Sequence, residues 1–518
     1  MFSRTGPLQL VLCMIIFPFL YSVTLVVFVV NESVRLVVRI ILRVQFGDDV
    51  ILIEDGCDAF ITQDIEGQLH NATIFFIVPK GSLTPKNVAE FYEANVQNFV
   101  EKKTGRRIYA KLENITSSAY GYMCWRRDLN FNVRNHIIQQ DTETVFTKKT
   151  LTELYTKEYS SPLPDSKPQW QISIIPKYDD GSGAIKSILH LYTRHNYMDG
   201  ISAAMIWKNC FCPTSELGLD PVTFKVSLVL NFLMHLKSFF YLPLFFFALA
   251  WERHMLQMWI PNPDKISPRQ KFFAWDGNPV DLADMKIIKS WAGAMDGGCR
   301  VSISNVLSTA ILRAMRATFP KERLVEDLIF LEVVAILPYP NYRLRNRISY
   351  MTYSIPKEEC EVQTSPVAGL LRDLKQIKAL ATKAMSGPDV LGTFYMQKYF
   401  GKLPRFLGPL WLKGGFSSIA ISPLPWSKKK GGIASSLCNV PVERIRGIAS
   451  HASDLGLVLC CETYGDEISF GGTGDSSWVS REELNNLVVQ IGREVSKMVE
   501  IVDSNHKEVN FCEILELN

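Results

Sequence analysis

Apolar and polar positions are spread unevenly along this chain. No residue from Gln9 to Val30 is charged, and as a helix rising ~1.5 Å per residue such a run crosses a hydrocarbon core of about 30 Å. It predicts a membrane anchor. A secretory signal peptide is the competing reading, but its apolar region is usually shorter, and no small-x-small cleavage site follows Val30. In the next stretch, NESVRLVVRIILRVQF, Arg35, Arg39 and Arg43 recur every four residues among Val, Ile and Leu. That spacing predicts either a basic interfacial helix among anionic headgroups or a plain continuation of the anchor. Arg4 precedes the apolar run and three arginines follow it, so short-loop charge bias puts the bulk of the chain in the cytosol. A second apolar stretch, FFYLPLFFFALAW at 239–251, is short for a span and contains Pro243. It reads as a segment dipping into or resting on a membrane, or as a hydrophobic wall within the protein.

Between and beyond these runs the pattern is that of a folded protein. NATIFFIV (71–78) and AIKSILHLYTRHN (184–196) predict strands, because β-branched and apolar residues run or alternate there. TPKNVAEFYEANVQNFV (84–100) predicts a helix with Thr84 as cap and Pro85 in the first turn. VSISNVLSTAILRAMRATF (301–319) and EELNNLVVQIGREVSKMVEIV (482–502) predict amphipathic helices, and 348–356 and 455–472 predict strands. The division is 1–50 for the anchor and basic helix, 51–215 for a first half, 216–275 for an apolar linker, and 276–518 for a second half. Strands and helices intermixed in both halves predict an α/β or α+β layered fold.

Composition narrows the class. At 518 residues the chain exceeds one ordinary core. Hydrophobic residues are 47% and charged ones 21%, too polar for a polytopic transporter. A net charge of +4 suits membrane surfaces or phosphates, and no RNP, zinc-finger or helix-turn-helix signature supports a nucleic-acid partner. The 11 cysteines form no disulfide framework and no CxxC pair, which predicts reduced thiols and no metal site. Asn31, Asn71 and Asn114 match the glycosylation sequon, and a cytosolic chain leaves them unmodified.

One constellation carries chemistry: RHNYMDG, residues 194–200, at the end of an apolar strand. His195 followed by Asp199 and Gly200 offers a base and an orienting carboxylate within one short turn, with the glycine allowing a sharp bend. An imidazole can take the proton of an alcohol near neutral pH, as attack on a thioester requires. Taken alone, the pattern is equally that of a turn histidine satisfied by local hydrogen bonds.

The surrounding sequence resembles the wax ester synthase/diacylglycerol acyltransferase family of the coenzyme A-dependent acyltransferase superfamily, over about residues 55–500. GCDAFITQDIEGQLHNATIFFIV resembles its opening segment and first strand. Trp125, Asp128, Phe131 and His136 in WRRDLNFNVRNHI match a spaced Trp…Asp…Phe…His stretch, and Pro162, Leu163, Pro168 and Trp170 precede the His-containing strand as they do there. VSISNVLSTAILRAM places Asn305 where the family has an Asn-Asp pair, RNRISYMTYSIP resembles its Gly-Asn strand, and Asn439, Val440 and Pro441 resemble its Asn-Val-Pro-Gly-Pro turn. Departures are Arg194 for the first of two histidines, Val306 for Asp, and Val442 breaking the Gly-Pro.

The resemblance implies two chloramphenicol acetyltransferase-like halves with a central tunnel. His195 is then the general base, moving a fatty acyl group from acyl-CoA to a long-chain alcohol or diacylglycerol at the bilayer. No bound cofactor is implied, and the compartment implied is the endoplasmic reticulum membrane or the lipid droplets derived from it. Asp199 becomes a structural support, Gly200 part of the motif, and Asn305 either a donor to the polarised carbonyl or a packing residue. Lys428, Lys429 and Lys430 are candidates for the phosphates of coenzyme A or for lipid headgroups, although a solvated lysine loop is the plainer reading, and Asn439 is a candidate for substrate or coenzyme A binding. A catalytically idle lipid-binding protein of the same fold is the alternative.

Overall fold

In the computed structural model the described residues are 7–62, 71–211, 221–236, 270–275, 279–295, 300–356, 365–407, 419–427, 436–448 and 456–516, less a few single positions within these ranges. Helix α1 (Pro7–Phe46) is one rod of 40 residues. Asn31, Arg35, Val38 and Leu42, spaced by four, three and four, are buried along one stripe, while Val34, Val37, Ile40 and Val44 stay exposed. The expected arginine stripe is split. Positions four apart advance by about 40° around a helix, so Arg35 turns inward and donates to the carbonyls of Ile53 and Lys402. Arg39 instead pairs with Glu54 at 2.8 Å, and Arg43 is exposed. The expected membrane span is not found: no helix among the described residues is long and apolar enough to cross a membrane. The first side chains of that apolar run, and all of 239–251, lie outside the described residues.

After β1 (Val50–Leu52) comes α2 (Gly56–Ile61), capped by Asp55 and buried along its whole length. Strand β2 (Asn71–Pro79) covers the predicted segment. Helix α3 (Pro85–Tyr92) has the predicted Thr84 cap, completed by Asn87, and continues as a π-helical turn over Glu93–Gln97. β3 (Asn114–Ala119) and β4 (Tyr122–Arg127) form a small sheet with β1. β5 (Ile137–Gln139), β6 (Phe146–Thr147), α4 (Lys148–Tyr159), β7 (Trp170–Asp179), β8 (Ile185–Arg194), α5 (Gly200–Ile206) and α6 (228–236) follow.

In the second half, β9 (Lys271–Trp275) and β10 (Val280–Asp281) lead to α7 (Leu282–Met295) and α8 (Ile303–Thr318). Next come β11 (Leu328–Ala335), β12 (Ile348–Ile355), α9 (Pro366–Met385), α10 (Asp389–Phe400) and β13 (Ile419–Ser427). The short pair β14 (Ser436–Leu437) and β15 (Val440–Pro441) precedes β16 (Arg444–Ile448), β17 (Leu457–Tyr464), β18 (Glu467–Asp475) and α11 (Arg481–Glu516). The single strand expected over 455–472 is in fact the antiparallel pair β17 and β18, turned at Gly465, whose φ of 64° suits a residue without Cβ.

Two large sheets organise these elements. The first has the order β16-β2-β8-β7-β5, with β6 on β7; the second runs β10-β18-β17-β13-β11-β12, with β9 on β18. Strand β16 is encoded late in the chain yet pairs antiparallel with β2 from Arg444–Ile77 to Ile448–Thr73. Strand β9, placed by sequence in the linker, is paired into the second sheet. Phe75, Tyr155 and Ile188 of the first half pack with Phe273 and Trp275 in one apolar cluster, so the halves share a core. The mixed α/β class holds.

Candidate active site

The chain leaves β8 at Arg194, whose amide donates to the Gln169 carbonyl at 3.0 Å, and turns at once, with the Tyr197 amide reaching back to the Arg194 carbonyl. His195 stands in that turn, and its neighbours are pinned. Asn196 donates to Thr116 Oγ1 at 2.7 Å, and the Tyr197 hydroxyl donates to Gln169 Oε1 at 2.9 Å while accepting from the Gln169 amide at 3.0 Å. Such bonding on both sides of one residue fixes its backbone, which is how a side chain is preorganised.

Asp199 is buried and makes no hydrogen bond to His195 among the described residues. Its Oδ1 accepts from the Ser202 amide at 2.8 Å, capping α5, and its Oδ2 accepts from the Tyr339 hydroxyl at 2.5 Å and the Arg347 amide at 2.8 Å. The carboxylate therefore ties the loop to the second half through hydrogen bonds. Gly200 opens α5 and makes no left-handed bend. A Cβ there would lie 2.8 Å from Leu424 Cδ1, so the residue permits close approach of β13 and does not serve the sharp turn expected of it.

The imidazole is held by a residue that sequence reasoning missed. His195 Nδ1 is 2.9 Å from Asn346 Oδ1. Asn346 is fully buried, and both its Nδ2, at 2.8 Å, and its backbone amide, at 2.9 Å, donate to Asp58 Oδ1. Asp58 Oδ2 accepts from Lys111 Nζ at 2.6 Å. Burial pushes the Asp58 carboxyl up to about 6 while Lys111 pulls it down, so it is ionised at neutral pH. A carboxylate only accepts, so the amide nitrogen of Asn346 must face Asp58 and its oxygen must face His195. The proton of neutral His195 then sits on Nδ1, and Nε2 keeps its lone pair. Burial lowers the His195 pKa below its ordinary 6.5, against the opposing Asp199 charge and the Asn346 bond.

Asn305 sits in the first turn of α8. Its Oδ1 accepts from the Ser302 amide and hydroxyl in the capping box of α8, and no hydrogen bond joins it to His195 among the described residues. Asn439, at φ 65°, follows Cys438, at φ 52°, in the two-residue turn between β14 and β15. Lys428, Lys429 and Lys430 lie outside the described residues. Val306 and Val442 are both buried. Beside the His195 loop, Met198 lines a small apolar pocket, open in part to solvent, together with Ile74, Phe76, Trp207 and Trp426. Asp58 and Asn346 each lie in a segment singled out by resemblance, but nothing in their spacing signals that positions 58, 195 and 346 converge.

No family profile matches the sequence, and no curated protein does. Solved structures do. The wax ester synthase/diacylglycerol acyltransferase from Marinobacter aquaeolei VT8 is 14% identical, covering 88% of this chain and 99% of its own, with a TM-score of 0.51. The TRI3 trichothecene 15-O-acetyltransferase from Fusarium sporotrichioides is 11% identical over 87% of this chain and 95% of its own, with a TM-score of 0.59. The EpoB cyclization-docking bidomain from Sorangium cellulosum is 11% identical over 88% and 85%, with a TM-score of 0.54. At these identities the likeness is one of fold, and the chain has the mixed α/β fold that these acyltransferase and cyclization-domain structures share.

Proposed function

We propose that the protein is an O-acyltransferase that moves a fatty acyl group from a coenzyme A thioester to a lipid alcohol, either a long-chain alcohol or diacylglycerol, with His195 as general base. The observation that carries this reading is an imidazole whose Nδ1 is engaged by Asn346 Oδ1 at 2.9 Å, an arrangement that assigns the role of base to Nε2. Nε2 takes the hydroxyl proton as the alcohol oxygen bonds to the thioester carbonyl carbon. The tetrahedral intermediate then collapses, the carbon–sulfur bond breaks, and the leaving thiolate takes the proton from Nε2. No covalent enzyme intermediate forms. Asn346 Oδ1 accepts the Nδ1 proton throughout, and the Asp199 charge favours the transient imidazolium.

The shared fold with two acyltransferases supports the reaction class, and the apolar cavity beside Met198 supports a greasy substrate. In this reading the substrates meet between the two halves, Lys428, Lys429, Lys430 and Asn439 contribute to coenzyme A binding, and the setting is the endoplasmic reticulum membrane or lipid droplets. The test is incubation of membranes bearing the protein with labelled acyl-CoA and a panel of alcohols, beside His195→Ala. Loss of about 10²–10⁴-fold in ester formation is expected. Equal output from both proteins refutes catalysis and leaves a lipid-binding role.

A further inference from the structure

Two apolar segments far apart in sequence converge on one side of the molecule. From Ser22 to Val30 helix α1 is exposed residue after residue, and from Val34 to Val44 it keeps one apolar face in solvent. Helix α6 exposes Leu228, Val229, Leu230, Phe232, Leu233 and Leu236, with Leu228 85% exposed. Tyrosines of α10 join the two. Phe28 of α1 meets the Tyr399 ring edge-on at 5.6 Å, Tyr399 stacks with Tyr395 at 6.2 Å, and Tyr395 contacts the His235 ring at 5.7 Å and hydrogen-bonds its Nδ1. His235 packs against α10, Leu230 and Leu233 lie on the opposite side of α6, and the other apolar residues of the helix are exposed as well.

The rim of this surface is aromatic and cationic. The β3–β4 turn brings exposed Tyr120 to Gln45, to which its hydroxyl donates at 2.8 Å, and the Arg405 amide donates to Gly121 at 2.7 Å, setting Arg405 and Phe406 beside the same turn. Phe406 is 74% exposed, and Arg43, Lys398 and Arg405 are exposed as well. Two acidic side chains of this side are paired, Glu54 with Arg39 and Glu32 with Lys402 at 3.5 Å, and Asp48 is exposed at the end of α1. A large apolar surface with exposed aromatics and unneutralised cations at its edge has the chemistry of a bilayer interface, where rings sit at headgroup depth and cations meet anionic lipid.

We propose that α1, α6 and the α10 tyrosines form a single platform that docks into a lipid bilayer containing anionic lipid, and that the acceptor alcohol reaches the site from that side. The second clause rests on the acyltransferase reading; the first does not. The platform is one helix away from the chemistry. Gly56 of α2 and Gly401 at the end of α10 are so close that a Cβ on either would sit 1.8 Å from a backbone oxygen of the other segment, and α2 carries the Asp58 that orients Asn346 against His195.

An environment-sensitive fluorescent amino acid is placed singly at Ile40, Phe232 or Glu153 in the full chain, and vesicles of phosphatidylcholine alone or with one-fifth phosphatidylserine are added. Ile40 and Phe232 are exposed, so folding is spared, and Glu153, exposed on α4, serves as the reference. Blue-shifted emission at both Ile40 and Phe232, none at Glu153, and at least fivefold tighter binding to the anionic vesicles are expected. Arg43→Glu with Arg405→Glu should erase the preference for anionic vesicles. A shift at Ile40 without one at Phe232 overturns the single platform, and no shift at either, or equal affinity for both vesicles, overturns the docking. His195→Ala must bind vesicles as the wild type does while forming no ester, so failure of the catalytic reading leaves the docking result standing.

Discussion

Asn346→Ala tests the claim that His195 acts as a base because another residue fixes its tautomer. The substitution removes the oxygen 2.9 Å from Nδ1 and the amide that Asp58 holds. In the transition state the ring approaches imidazolium, and a hydrogen bond to a charged partner contributes about 1.5–3 kcal/mol. At about 1.4 kcal/mol per factor of ten, kcat should fall by roughly 10- to 150-fold. Asn346 sits behind the imidazole, so KM should change little.

The pH profile separates this role from mere loss of structure. The Asn346 bond raises the His195 pKa against burial, which lowers it. Without Asn346 the pKa falls further, and the neutral ring survives to lower pH. The acid limb of kcat/KM, already below the ordinary 6.5, should therefore move to still lower pH even as the plateau drops. Steady-state rates of ester formation between pH 4.5 and 8.5, normalised to folded protein, decide it. A plateau equal to wild type, or a limb moved upward, refutes the tautomer argument.

Asp199→Ala removes a helix cap worth about 1 kcal/mol and strands the Tyr339 hydroxyl and Arg347 amide, so a loss of about 3 kcal/mol in denaturant unfolding is expected, with turnover per folded molecule affected less. Gly56→Ala forces a Cβ to within 1.8 Å of the Lys398 carbonyl oxygen, backbone that cannot step aside; a cost of about 1–3 kcal/mol or more should appear as lower folded yield. Glu462 is buried, and its carboxyl is pushed from 4.5 up to about 8. The folded state thus keeps a proton that the unfolded chain releases, and stability from this group is present below pH 4.5 and lost as pH rises towards 8. Glu462→Gln should gain in melting temperature over wild type across that window, and an unchanged difference from pH 4.5 to 8 would contradict the burial argument.

Much of the scaffold was legible because it is local. The apolar alternation that marks β2, β8 and β12, the Thr84 cap, and the amphipathic α8 each report on neighbours within a few residues. The pattern failed where partners are distant. Arg35 belongs to an apparently solvated basic stripe until the carbonyls of Ile53 and Lys402 are brought to it. Gly200 passes for a turn residue until Leu424 is seen against it. The β17–β18 hairpin hid because Tyr464, Gly465 and Asp466 interrupt the apolar run for so short a stretch. His195 was marked out by its motif, but the partners that hold its imidazole were not: Asn346 is 151 positions away, and Asp58 lies 288 from Asn346.

That separation bears on how the site is controlled. His195 belongs to the first half, Asn346 to the second, and Asp58 to a short helix wedged against α10. The Asp199 carboxylate bridges the same boundary through Tyr339 and Arg347, and β16 crosses it as a strand. A base whose tautomer depends on the opposite half is competent only when the halves are docked in register. A shift of one ångström between them would stretch the 2.9 Å bond to Asn346 out of hydrogen-bond range. In the proposed reaction, catalytic competence is thereby coupled to docking of the two halves, and a substrate entering between them would tighten or loosen the imidazole's hold without touching it.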